Sequence, residues 1–160
     1  MNLYWFKVVG MQNSRGFTLV ELMVTIAVVA ILAVIAVPSM SSLIGKQQLN
    51  KTTRDLAETL TLARSQAALL RQEVIVTLNS DTPNTDTHFY WNPAANNTLK
   101  SPTTIPPLVF MANGTMKNTA LNTPFTDTDF VICNSKIPTP KIIKLSRMGS
   151  VSLGTGGSCQ

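Results

Sequence analysis

Gly16-Phe17-Thr18-Leu19-Val20-Glu21 opens a run that stays apolar to Val37 and ends at Pro38. Between Phe17 and Val37 the only charge is Glu21. About 21 residues rising 1.5 Å each reach roughly 31 Å, the thickness of one bilayer core. Backbone groups in lipid must be satisfied within the segment, so the run is expected to be helical. A carboxylate inside it is costly unless it meets a cation. The stretch before it carries Lys7 and Arg15 and no acid. It lacks the small-residue cleavage site that follows the apolar core of an ordinary signal peptide. A cut between Gly16 and Phe17 would free an ammonium one turn from Glu21. That amine would neutralise the carboxylate, within one helix or between packed helices. The simpler alternative is a plain membrane anchor.

Arg15-Gly16-Phe17-Thr18-Leu19-Val20-Glu21-Leu22 resembles the class III signal of type IV pilins and type II secretion pseudopilins. Charge, cut site and apolar run all stand at that family's spacing. The resemblance implies cleavage after Gly16 by a prepilin peptidase, N-methylation of Phe17 and packing of the helix into a filament core. It implies that Glu21 pairs with the amino terminus of a neighbouring subunit. Pro38 matches the helix-kinking proline of many members.

The chain has 160 residues and a net charge of +5. Losing the leader removes Lys7 and Arg15, which leaves a mildly basic chain with no demand for a nucleic-acid partner. Roughly 120 residues remain beyond the anchor, enough for one small domain with its own core. Lys7 and Arg15 would hold the amino-terminal end in the cytoplasm and send the rest to the periplasm. The two cysteines, Cys133 and Cys159, suggest one disulfide in an exported domain. Two buried thiols are the alternative.

After Pro38 the helical pattern continues. Leu49, Thr53, Leu56, Leu60, Ala63, Ala67 and Leu70 recur at steps of four and three, a single apolar stripe. One helix is therefore expected from about Thr18 to Arg71, with a bend at Pro38 or Gly45. Leu62-Ala63-Arg64-Ser65-Gln66-Ala67 resembles the helix end of the FimT/GspH group, which implies a small β-sandwich on that end. Arg64 itself reads as a solvated or surface-paired side chain.

From Glu73 the period changes to two, and Val74, Val76 and Leu78 face one way in a strand. His88–Trp91 is a short aromatic strand. Residues 92–107, with four prolines, read as an irregular loop. Leu108–Met111 and Thr115–Lys117 flank Asn113-Gly114, a hairpin signal. Phe130–Cys133 and Lys141–Leu145 are further strands, separated by Pro138 and Pro140. Ser150–Leu153 is the last, and the glycine-rich end is mobile unless Cys159 is tied to Cys133.

Nothing in the chain reads as catalytic. His88 is the only histidine and cannot supply a zinc site alone. Asp127 and Asp129 read as turn caps or solvated acids. Gly154-Thr155-Gly156-Gly157-Ser158 lacks the lysine and following helix of a phosphate loop. After Asp129 no acid remains, while Lys136, Lys141, Lys144 and Arg147 follow. Four cations of that kind can hold phosphates, and the chain resembles FimT-type pilins, which in some transforming bacteria bind DNA through a C-terminal Gly-Arg-x-Arg motif. Here Gly149-Ser150-Val151-Ser152 stands in its place, with serine at both arginine positions. A solvated basic surface or a subunit contact is the alternative.

The expected fold is α+β and pilin-like, a long N-terminal helix with a membrane-spanning first half, packed on a small antiparallel β-sandwich. Residues 1–16 are the leader, 17–38 the transmembrane or filament-core helix, 39–72 the amphipathic half and 73–160 a periplasmic β-rich domain. The implied function is that of a minor pilin of a type IV pilus, acting in pilus biogenesis, twitching motility or DNA uptake. Alternatives are a GspH-like type II secretion pseudopilin and a DNA-binding competence pilin using the basic C-terminal segment. Implied partners are other pilin subunits, the assembly machinery, the prepilin peptidase, the inner membrane and DNA. No cofactor, metal or catalytic residue is expected. The protein would sit in the bacterial inner membrane by a single pass, and then in the pilus.

Overall fold

The computed structural model describes residues 16–117 and 125–159. The leader, with Lys7 and Arg15, lies outside the described residues apart from Gly16. The chain forms two compact units, Met1–Pro38 and Ser39–Gln160. One helix, α1 (Leu19–Leu70), contributes to both.

In the first unit the described apolar side chains of α1 are exposed, among them Leu22, Ile26, Val29 and Leu32. Leu19–Val34 alone is not long and apolar enough to cross a membrane; it passes that test only together with Ser39–Leu70.

In the second unit the stripe on α1 is buried as the spacing predicts. Leu49, Leu56, Leu60, Ala63 and Ala67 join the core, and Thr52 and Thr53 are buried with them. Thr53 Oγ1 donates to Leu49 O, so its hydroxyl needs no outside partner. Leu70 departs from the pattern and is exposed. The helix is ending there, with Arg71 at φ 53°, the left-handed position that commonly follows a last turn.

Eight strands follow: β1 (Val74–Leu78), β2 (His88–Trp91), β3 (Asn97–Ser101), β4 (Leu108–Phe110), β5 (Met116–Lys117), β6 (Thr128–Asn134), β7 (Ile137–Leu145) and β8 (Val151–Thr155). They form two four-stranded sheets, ordered β2-β1-β4-β5 and β3-β6-β7-β8. Both sheets and α1 close one apolar core. Val74, Val76, Phe110, Phe130, Ile132 and Ile143 contribute to it from the strands. The fold is thus α+β, with mostly antiparallel sheets.

Three departures from the sequence expectation have local causes. First, β1 and β2 pair in parallel, Ile75 opposite His88 through Leu78 opposite Trp91. The nine-residue link folds back on itself: Asn84 Oδ1 accepts from Tyr90 N, and Thr85 Oγ1 accepts from His88 N. Second, part of the 92–107 loop is strand β3, paired antiparallel with β6. Its polar sequence hides this, because Asn97 is held by side-chain bonds and not by apolar burial. Third, Pro138 and Pro140 lie inside β7. They stand beyond the end of β8, which pairs only with Lys141–Leu145, and beside a register shift in the pairing with β6. A missing N–H is tolerated at such an edge.

Candidate assembly site

The amino-terminal site is built by α1 itself. Thr18 caps the helix: its Oγ1 accepts from Glu21 N at 3.1 Å, and its carbonyl accepts from Leu22 N at 3.1 Å. Thr18-x-x-Glu21 is the capping-box spacing, a signal present in the sequence but overshadowed by the charge of Glu21. A carboxylate in the first turn also faces the positive end of the helix dipole. Glu21 is exposed, and among the described residues no ion pair involves it. Phe17, whose amine the expected cut would free, is 83% exposed. Pro38 stands within α1 at the end of this unit. The site is therefore an apolar rod with one exposed acid near its tip, in no ion pair among the described residues.

In the second unit, buried polar contacts set how α1 lies on the strands. Asn97 Nδ2 donates to Thr52 Oγ1 at 2.7 Å, to Ala94 O at 2.8 Å and to Gln48 O at 3.2 Å. Asn134 Nδ2 donates to Asn97 Oδ1 at 2.7 Å, and both asparagines are buried. Beside them Gly45 lets the helix approach: a Cβ there would lie 3.1 Å from Asn134 Oδ1 and from Lys136 Cβ. Further along, Trp91 Nε1 donates to Asp55 Oδ2 at 3.0 Å. No short sequence pattern announces these pairs, because, the bond to Ala94 O apart, each joins residues 36 or more apart in the chain.

Arg64 is not a free surface side chain. It is half-buried, and its Nε donates to Gly114 O at 3.1 Å. Gly114, at φ 77°, turns the β4–β5 hairpin, and Gly149, at φ 74°, turns β7–β8. The two turns meet so closely that a Cβ on Gly149 would collide with Gly114 O. Arg64 packs against both, and Met116 N donates to Arg147 O at 2.9 Å across the same junction. The arginine of the Leu-Ala-Arg-Ser segment thus ties the helix to the place where the two sheets touch.

The four tail cations are not brought together. Lys136 precedes β7, and Arg147 follows it, so they stand roughly 30 Å apart along the strand. Lys144 and Lys141 lie three residues apart on β7, hence on opposite faces. Lys144 Nζ lies 3.6 Å from Asp129 Oδ2. Asp127 Oδ1 accepts from Arg147 N, capping the β7–β8 turn. Cys133 and Cys159 are bonded, with Cα atoms 5.7 Å apart. The bond lays the tail back over its sheet, and Gly157 lies beside Ile142 and Val131. Among the described residues no cluster of three or more His, Cys, Asp or Glu is placed to hold a metal.

The prokaryotic N-terminal methylation motif matches residues 11–37. The family described as type II transport protein GspH matches residues 52–149, more than half of the chain. The chain belongs to the GspH family. The two matches together make it a protein of the type IV pilin and pseudopilin kind, of the FimT/GspH group. Neither curated proteins nor solved structures gave a significant match. In the GspH family the domain is structural, and membership implies contacts with other pilins or pseudopilins and with the prepilin peptidase. The prepilin-type motif implies membrane anchoring through the N-terminal helix. The GspH match opens at Thr52, which accepts from Asn97, and closes at Gly149 of the two-turn junction.

Proposed function

We propose that this GspH-family protein is a minor pilin of a type IV pilus. It waits in the inner membrane by a single pass, with its β-rich unit in the periplasm. It is cut between Gly16 and Phe17, methylated on the new Phe17 amine, and drawn into the fibre. There Glu21 pairs with the amino terminus of a neighbouring subunit, while Pro38 lets the rod bend. The observation that supports this reading is in α1: among the described residues Phe17 and the apolar residues to Val34 are exposed, and Glu21 among them is in no ion pair. A continuous apolar surface of that length is unstable in water and needs lipid or sibling helices around it. A carboxylate in that setting selects a register in which a cation lies opposite.

The test is made in cells that express Glu21→Gln, Glu21→Leu or the unchanged protein. Mass spectrometry of the mature chain is expected to find methylated Phe17 at its start. Sheared pili are expected to contain the unchanged protein and at least roughly tenfold less of either variant, as expected when an apolar site keeps an unpaired charge. Processing is expected to continue in both. Pili that incorporate Glu21→Leu as well as the original would remove the pairing role. A chain recovered only with a secretion fibre, and never in pili, would assign it to type II secretion. The separated positions of Lys136, Lys141, Lys144 and Arg147 give no support to DNA capture by that quartet.

A further inference from the structure

β8 is the last strand of its sheet, and no strand pairs with its outer edge among the described residues. The β7–β8 turn decides which backbone groups face that edge. Ser146 N donates to Ser150 O at 3.0 Å. With Lys144 opposite Ser152 and Ile142 opposite Gly154, the residues of β8 that bond to β7 are Ser152 and Gly154. The N–H and C=O groups of Val151, Leu153 and Thr155 therefore point outward. β8 has no proline, charge or bulge, the usual devices that stop an edge from pairing.

The outer edge borders a groove. Ala57 and Leu62 of α1 line it with Val151 and Leu153, enclosing ≈ 620 Å³. Leu153 is 56% exposed there, a large apolar side chain at the edge of a sheet. Arg54 stands between the two ends, lining the apolar part as well as the part toward Thr155, where Lys141 and Lys46 add further cations. Among the described residues none of the three is in an ion pair. Glu58 lines the apolar end. The groove thus offers backbone hydrogen bonds, an apolar wall and a charge gradient along one line.

We propose that this groove receives an extended segment of another protein, added as a strand to the outer edge of β8. The segment carries apolar side chains at alternate positions and a carboxylate at the end lying against Thr155. Main-chain bonds to Val151, Leu153 and Thr155 hold it, as in strand addition generally. The apolar side chains cover Leu153 and Leu62, and Arg54, Lys141 and Lys46 set its direction. This surface belongs to the second unit alone and stands whether or not Glu21 directs assembly.

The test uses the full chain in detergent micelles. The probes are fluorescein-labelled, end-blocked peptides of alternating valine and threonine, ending in glutamate, glutamine or lysine. Polarisation is expected to rank glutamate over glutamine over lysine, with roughly tenfold between the extremes. Arg54→Glu is expected to reverse that order, and this exposed substitution leaves the core intact. Leu153→Pro removes one outward N–H and no bond to β7, and is expected to weaken the glutamate peptide about tenfold, as for loss of a buried hydrogen bond. Hydrogen exchange is expected to slow at Leu153 N–H when that peptide is bound. The proposal is overturned by peptides that fail to bind at millimolar concentration, or that bind without regard to charge. It is equally overturned if a single-stranded oligothymidine displaces them, which would assign the groove to nucleic acid.

Discussion

The two units dispose of apolar residues in opposite ways, although one helix runs through both. In the second unit the chain answers its own needs: Leu56, Leu60 and Ala63 of α1 are buried against Phe110, Phe130 and Ile143. In the first, Leu22, Ile26 and Leu32 are exposed. The amphipathic stripe allows the former, since one face is enough for two sheets. The apolar character of Leu19–Val34 goes with the latter, since no described residue of its own unit surrounds it. This GspH-family protein thus keeps its packed core in the second unit and an exposed apolar helix in the first.

The sharpest way to break this contrast is a paired truncation. Phe130→Ala is expected to cost about 3–5 kcal/mol by cavity formation in the shared core. Leu32→Ala is expected to change the unfolding of the second unit by under about 0.5 kcal/mol. Both are measured by denaturant unfolding of the full chain in detergent. Equal losses would mean that the two units are not independent.

Cys159→Ser comes next. Opening a bond that closes a sequence separation of 26 is expected to cost about 3 kcal/mol, read as a shift of the denaturation midpoint that vanishes under reductant. Asn97→Ala is expected to cost about 2 kcal/mol, because Asn134 Nδ2 and Thr52 Oγ1 lose a buried partner. Its effect belongs to the second unit, so processing at Gly16 should be unchanged by gel mobility. Arg64→Ala is the mildest, about 1 kcal/mol for one hydrogen bond to Gly114 O. Its diagnostic reading is faster amide exchange at Met116, whose N–H bonds across the junction to Arg147 O.

Much of this architecture was legible in the residues. The four-and-three spacing of Leu49 to Ala67 gave the buried face of α1, and Asn113-Gly114 gave a hairpin, because both signals are local. The rest depended on contacts between distant parts of the chain. Strand β3 is written in polar residues, and it is held by Asn97 reaching a helix 45 residues away. Arg64 reads from the sequence as solvated or surface-paired, because its partner lies 50 residues on. Pro138 and Pro140 looked like breaks because the end of β8 opposite them is fixed only by the sheet order. Within the assembly site, the capping hydroxyl of Thr18 was readable from its spacing to Glu21. The placement of the four tail cations was not, since strand faces depend on where β7 begins.

The buried asparagines also bear on tension. A stripe of leucine and alanine resists separation from a sheet, yet greasy surfaces slide past one another in steps of about 5.4 Å, one helical turn. Asn97, joined to Thr52 and to Gln48 O on one side and to Asn134 on the other, acts as a pawl against that slip. A pull along α1 loads these bonds together and in shear, at the part of the helix where the second unit begins.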